Sequence, residues 1–134
     1  LNAFSKSYTR THISTSTPSD PIHFERGVKQ GDPLSPFLFA LCVDPALREL
    51  RASGRGLRID NEYIPQLVYA DDILLLAESP AELQIMVDSI SNSIRKVGLH
   101  FSTGKCRTYS HHFHQGKLVV DLEPSVNLNG EPIV

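Results

Sequence analysis

Residues 66–77 constrain the fold more than any other stretch. Two adjacent carboxylates, Asp71 and Asp72, stand between the apolar runs Leu67-Val68-Tyr69 and Ile73-Leu74-Leu75-Leu76-Ala77. Both runs have strand length and β-type composition, so the pattern predicts a hairpin with the acids at its tip. Neighbouring carboxylates repel, and burying either one is costly unless something offsets the charge. Two chemistries meet that condition. An Asp-Asp β-turn leaves both groups in water, and Asp favours turns. A pair of divalent cations ~3.5–4 Å apart would instead use the carboxylates to clamp the attacking and leaving oxygens of a phosphoryl transfer. Magnesium suits that role, because it takes a few carboxylates and completes its shell with water and substrate phosphates. The pair alone leaves both readings open, and the choice rests on its neighbours.

Composition narrows the class. A chain of 134 residues amounts to about one domain. Thirteen Lys and Arg against 15 Asp and Glu give a net charge of −2, which excludes a polybasic nucleic-acid tail and an acidic disordered segment. Even the longest apolar run, Phe37–Val43, is far too short to cross a bilayer, so no membrane partner is expected. The polar, Ser- and Thr-rich N-terminal stretch is unlike a signal peptide. Cys42 and Cys106 make neither a disulfide framework nor a zinc site and read as free thiols in a reducing compartment. Leu1 in first place, and a Val134 that cuts an extended apolar pattern, read as a piece of a longer polypeptide.

Residues 1–21 read as an irregular leader, with a short helix near Ala3–Tyr8, and 22–134 as the folded part, opening with a strand at Ile22–Glu25. Ser35 as N-cap and Pro36 at the first helical position start a helix that ends near Ser53-Gly54. Phe37, Leu41, Asp44 and Leu47 fall on its helical spacing, and Pro45 should kink it. Short strands follow at Gly56–Ile59 and Tyr63–Ile64. Ser79-Pro80-Ala81-Glu82 is a capping box, and Leu83, Met86, Val87, Ile90, Ile94 and Val97 keep one apolar face up to a stop at Gly98. Leu99–Phe101, Cys106–Tyr109, Leu118–Leu122 and Val126–Leu128 are strand candidates, with Asn129-Gly130 as a hairpin turn. The class is α+β.

The neighbours of the acid pair are Tyr69-Ala70 and, upstream, Arg26-Gly27-Val28-Lys29-Gln30-Gly31-Asp32-Pro33-Leu34-Ser35-Pro36. These blocks resemble two signature blocks of the reverse transcriptase palm, in matching order and with a kinked helix between them. The string G-V-K-Q-G-D-P-L-S-P followed by Y-A-D-D looks like non-LTR retrotransposons. A third block, Gly98-Leu99-His100-Phe101-Ser102-Thr103-Gly104-Lys105-Cys106, is similar to the lysine-bearing block of that family. The resemblance covers roughly residues 22–134. It implies a partial polymerase palm: an antiparallel sheet carrying the Asp-Asp hairpin, packed against two long helices, with Asp71 facing the open cleft.

The resemblance also implies roles. Asp71 would be a metal-binding carboxylate and Asp72 its weaker companion, holding two Mg²⁺ ions together with a further aspartate. Tyr69 would pack beneath the primer end. Gln30 and Gly31 would lie against template and incoming nucleotide, where glycine lets backbone approach closely. Lys105 would be catalytic, facing the nucleotide's phosphates as a proton donor to the departing pyrophosphate, its alternative being a solvated surface lysine. Partners would be an RNA template, a DNA primer, deoxynucleoside triphosphates and the rest of a retrotransposon polyprotein, inside the cell and in the nucleus. Ala40 and Ser102 stand where the family commonly has Asn. The family's first catalytic aspartate belongs to a strand block that nothing in residues 1–21 resembles, since Asp20 lies in loop-like sequence. The chain by itself is therefore expected to be inactive. The rival reading is a non-catalytic, palm-derived module that binds nucleic acid or protein.

Two further patterns read as bland. Arg48, Arg51, Arg55 and Arg58 recur at helix-like spacing, but Gly54 and Gly56 interrupt the stripe, and Arg is expected near a helix C-terminus. His111, His112 and His114 supply only one end of a zinc pattern and read as solvated loop.

Overall fold

The computed structural model describes residues 31–121 and 126–133. The leader, the strand at Ile22–Glu25 and the boundary between 21 and 22 lie outside them. By internal contacts the chain divides into two units, 1–39 and 40–134. Helix α1 (Ser35–Ala52) begins in the first and continues in the second.

The start of α1 differs from the expected Ser35 cap. Asp32 Oδ1 accepts from the Leu34 N–H at 2.8 Å, and the Asp32 carbonyl accepts from the Ser35 N–H at 3.0 Å. The first full helical bond runs from the Leu38 N–H to the Leu34 carbonyl at 3.0 Å. Leu34 is therefore the half-in residue, and the Asx turn at Asp32 does the capping.

In the second unit the helix runs on through Pro45, which deletes the N–H that would bond the Leu41 carbonyl. Its buried stripe is Val43, Ala46, Leu47 and Leu50, while Leu41 is 55% exposed. That stripe has i, i+3, i+4, i+7 spacing with no charge in it. The spacing through Leu41 and Asp44 turns toward solvent instead, where Asp44 pairs with Arg48 at 2.7 Å.

Strands β1 (Leu57–Ile59) and β2 (Glu62–Ile64) form one hairpin, and β3 (Gln66–Tyr69) and β4 (Asp72–Leu75) form the next. Helix α2 (Pro80–Arg95) follows, with the Glu82 N–H donating to Ser79 Oγ at 3.2 Å. The helix stops before Val97, which is half-exposed and not on the core face as expected. Gly98 takes φ 81°, and the Leu99 N–H closes the end on the Ile94 carbonyl. Ser93 Oγ donates to Glu49 at 2.6 Å and joins α2 to α1.

No strand forms at Leu99–Phe101 or Cys106–Tyr109. The donors are spent locally: Leu99 on the helix end, and Lys105 and Cys106 on the Ser102 and Thr103 carbonyls of a 3₁₀ turn (Thr103–Lys105). The histidines, expected in loop, lie in β5 (Ser110–His114), paired with β6 (Lys117–Asp121) across the turn Gln115-Gly116. Both turn residues have positive φ, the condition for a tight two-residue turn of primed type. Strands β7 (Val126–Leu128) and β8 (Glu131–Ile133) close on Asn129-Gly130. Val126, Leu128 and Ile133 pack with Val87 of α2, flanked by Leu75, Leu83, Phe101 and Cys106.

The chain is thus α+β, but its strands form four separate two-stranded ladders among the described residues, not one antiparallel sheet. Side chains occupy edges that a neighbouring strand would use. Glu82 and Glu78 accept from the Gly56 and Arg58 N–H groups at 3.0 and 3.3 Å. The Gln84 amide both donates to the Asn127 carbonyl (2.9 Å) and accepts from its N–H (2.7 Å).

Candidate active site

The hairpin β3–β4 positions the acid pair. Its rungs are Gln66↔Leu75, Leu67↔Leu74, Val68↔Ile73 and Tyr69↔Asp72, and the Leu76 N–H adds a bond to the Pro65 carbonyl at 2.9 Å. Side chains alternate along a strand, and opposite residues share a face. One face therefore carries Gln66, Val68, Ile73 and Leu75, and the other carries Leu67, Leu74, Tyr69 and Asp72. The second is the open face: Leu67 and Leu74 are half-exposed, and Tyr69 is 83% exposed. Asp72 stands beside Tyr69 on the last rung. Asp71 lies beyond that rung, in the turn with Ala70, and both carboxylates are exposed. They are inequivalent, one fixed by the ladder and the other carried by the turn.

The turn is strained. Ala70 has φ 54°, whereas Asp71 is not among the positive-φ residues, the φ signs of a type II′ turn. Glycine is the usual occupant of that first position. The chain instead holds an alanine in left-handed backbone directly before the acid pair.

Of the other expected site residues, Gln30 lies outside the described residues. Gly31 is exposed at φ 85°, and a side chain there would meet nothing within 4 Å, so its backbone conformation and not crowding calls for glycine. Lys105 is exposed at the end of the 3₁₀ turn. Thr103, Gly104 and Arg107 beside it line, with Glu131 and Pro132, an open depression of about 420 Å³. Burial pushes the neighbouring Cys106 thiol above its ordinary pKa, with the Arg107 charge opposing that shift. Among the described residues no group of three or more His, Cys, Asp or Glu is placed to hold a metal ion. Asp20 and Glu25 lie outside those residues.

Gln66 is a residue that no sequence motif singles out. It is buried, its Nε2 donates to the Leu47 carbonyl of α1 at 3.0 Å, and its Oε1 has no hydrogen-bond partner. The available signal was an amide at the head of an otherwise apolar strand.

Along the chain, the acid pair at the hairpin tip follows a Gly-Asp-Pro-led helix and precedes a lysine-bearing turn. The chain belongs to the reverse transcriptase family: the family model described as reverse transcriptase (RNA-dependent DNA polymerase) matches residues 1–119. Among curated proteins, it is 43% identical over 83 residues to the Pol polyprotein of the type-2 retrotransposable element R2DM of Drosophila melanogaster, covering 62% of this chain and 8% of that protein. It is similar to two Pol polyproteins of type-1 retrotransposable element R2 from Popillia japonica. One is 38% identical over 77% of this chain and 15% of the relative, the other 28% identical over 99% and 22%. The chain spans under a quarter of the length of each of these relatives. No helix among the described residues is long and apolar enough to cross a membrane.

Proposed function

We propose that the chain supplies the Asp-Asp hairpin of an RNA-directed DNA polymerase in a non-LTR retrotransposon polyprotein. In this reading the hairpin belongs to a palm whose helices back its closed face. The reaction is attack of a DNA 3′-hydroxyl on the α-phosphorus of a deoxynucleoside triphosphate, breaking its bond to the departing pyrophosphate, directed by an RNA template, inside the nucleus. Asp71 and Asp72 hold Mg²⁺, Tyr69 supports the primer end, Gln30 and Gly31 lie against template and nucleotide, and Lys105 faces the phosphates. The donor set suits Mg²⁺, a hard cation that takes one or two carboxylates and keeps water and phosphate oxygens. Bound there, the metal would supply charge to the transferring phosphoryl group. The observation that carries the reading is the pair of exposed, inequivalent carboxylates at the tip and last rung of one ladder, inside the family-matched stretch.

The test is a chimera in which this chain replaces the matching segment of an R2 polyprotein. Mg²⁺-dependent primer extension is expected, with Asp71→Asn losing about a hundredfold or more, since a metal clamp contributes several kcal/mol. A chimera whose extension survives Asp71→Asn at near-normal rate would remove Asp71 from the metal site.

A further inference from the structure

We infer that Gln66 is a positioning residue that sets the register of the Asp-Asp hairpin against helix α1. The inference rests on the reading of Asp71 and Asp72 as the metal-binding pair.

Gln66 opens β3, four residues before Ala70, and lies on the closed face of the ladder. Its Nε2 donates to the Leu47 carbonyl at 3.0 Å, and Leu47 is itself part of the buried stripe of α1. This orientation alone puts a donor on that carbonyl, because the flipped amide would set oxygen against oxygen. The amide oxygen, Oε1, is buried and has no partner. A buried acceptor left in that state costs stability, and an apolar residue of similar volume would remove the cost. Stability therefore does not account for an amide at this position.

Register does. Side chains in a strand alternate with period two, so a slip of β3 by one residue would carry Leu67 and Tyr69 to the closed face and Val68 to the open one, parting Tyr69 from Asp72. The apolar residues of the hairpin resist such a slip weakly. Leu67 and Leu74 on the open face are as hydrophobic as Val68, Ile73 and Leu75 on the other, and all five could exchange faces. Gln66 breaks that degeneracy, because only the observed register brings its amide to the Leu47 carbonyl. A single buried polar group fixing register at some cost in stability is a known use of such groups.

The experiment compares the 134-residue chain with Gln66→Leu and, as a second variant, Gln66→Met. The readout is amide hydrogen exchange, residue by residue. Exchange at the β3–β4 rungs and at the Leu76 N–H should accelerate tenfold or more, while Ile90 and Ile94 of α2 stay within twofold. Unchanged hairpin protection in a folded variant would overturn the assignment. So would hairpin and α2 amides accelerating together, or a failure of both variants to fold, since each marks a general core role. Mn²⁺ broadening of the Ala70–Asp72 signals is recorded on the same samples. Its absence in the unsubstituted chain would count against the polymerase reading, while the exchange pattern would still decide the role of Gln66.

Discussion

The Gly56 N–H donates to Glu82 Oε1 at 3.0 Å, across 26 residues of sequence. The second oxygen of Glu82 accepts from the Glu78 N–H at 2.9 Å. One carboxylate in the first turn of α2 thereby fixes both the strand that leads into β1 and the chain that leaves the acid-bearing hairpin. Glycine is required at the strand end of this contact. Gly56 is buried at φ 128°, and a Cβ would lie 2.6 Å from the backbone of Ile64 and Pro65.

Substitution on either side should therefore destabilise the chain. Gly56→Ala combines a disfavoured backbone angle with a backbone clash, each worth about 1–3 kcal/mol, so a loss of roughly 3 kcal/mol is expected. Glu82→Ala removes two charge-assisted bonds and should cost about 2 kcal/mol. Urea unfolding midpoints measure both. A Gly56→Ala chain with an unchanged midpoint would show that the backbone at residue 56 can move away from Ile64.

What could be read from sequence divides along local and non-local causes. The Ser79 cap, the α2 face from Met86 to Ile94 and the Asn129-Gly130 turn are set by residues within one or two turns of themselves, and the sequence displays them. The Glu82 contacts show where that ends. The capping box predicts a bond back to Ser79, whereas the carboxylate reaches Glu78 and Gly56. Cys106–Tyr109 reads as a strand by composition, but the 3₁₀ turn before it consumes the Lys105 and Cys106 N–H groups. At the candidate site, the hairpin and the place of Asp71 in its turn follow from the apolar runs. The tie from Gln66 to Leu47 spans 19 residues and left no periodic trace.

Ala70 offers a test of turn strain. Left-handed backbone costs an L-residue about 1–2 kcal/mol, and glycine escapes that cost while giving back part of it as unfolded-chain entropy. Ala70→Gly should raise stability by about 0.5 kcal/mol, read as a small rise in the unfolding midpoint. A fall of 1 kcal/mol or more would mean that the alanine methyl makes contacts outweighing the strain.

The two cysteines should differ in reactivity. Cys42 is exposed on α1, whereas Cys106 is partly buried and donates its thiol to the Ser102 carbonyl at 3.3 Å. Burial raises the Cys106 pKa, so the folded chain favours the neutral thiol. Its contribution to stability is present below the ordinary thiol pKa and is lost as pH rises through the raised value. Thiolate is the reactive form. A disulfide reagent at pH 8 should therefore label Cys42 first and Cys106 later. Equal rates at pH 8 would show that the 3₁₀ turn opens faster than the reagent reacts.

The last expectation concerns the 134-residue chain on its own. The proposed two-metal site needs a further aspartate, and by the family resemblance residues 1–21 are not expected to supply it. On the proposed reading, Asp71 and Asp72, exposed and adjacent, would still gather a divalent ion. They cannot alone clamp the attacking and leaving oxygens, which takes ligands bridging two ions ~3.5–4 Å apart. The purified chain should show no Mg²⁺-dependent primer extension on an RNA template. Mn²⁺ should nevertheless broaden the Ala70–Asp72 amides, and Asp71→Asn should weaken that binding several-fold by removing one of two charges. Extension by the unsubstituted chain would place the missing carboxylate within these 134 residues, with Asp20, Glu25 and Asp32 the first to substitute. Broadening that Asp71→Asn leaves untouched would move the ion away from the hairpin tip.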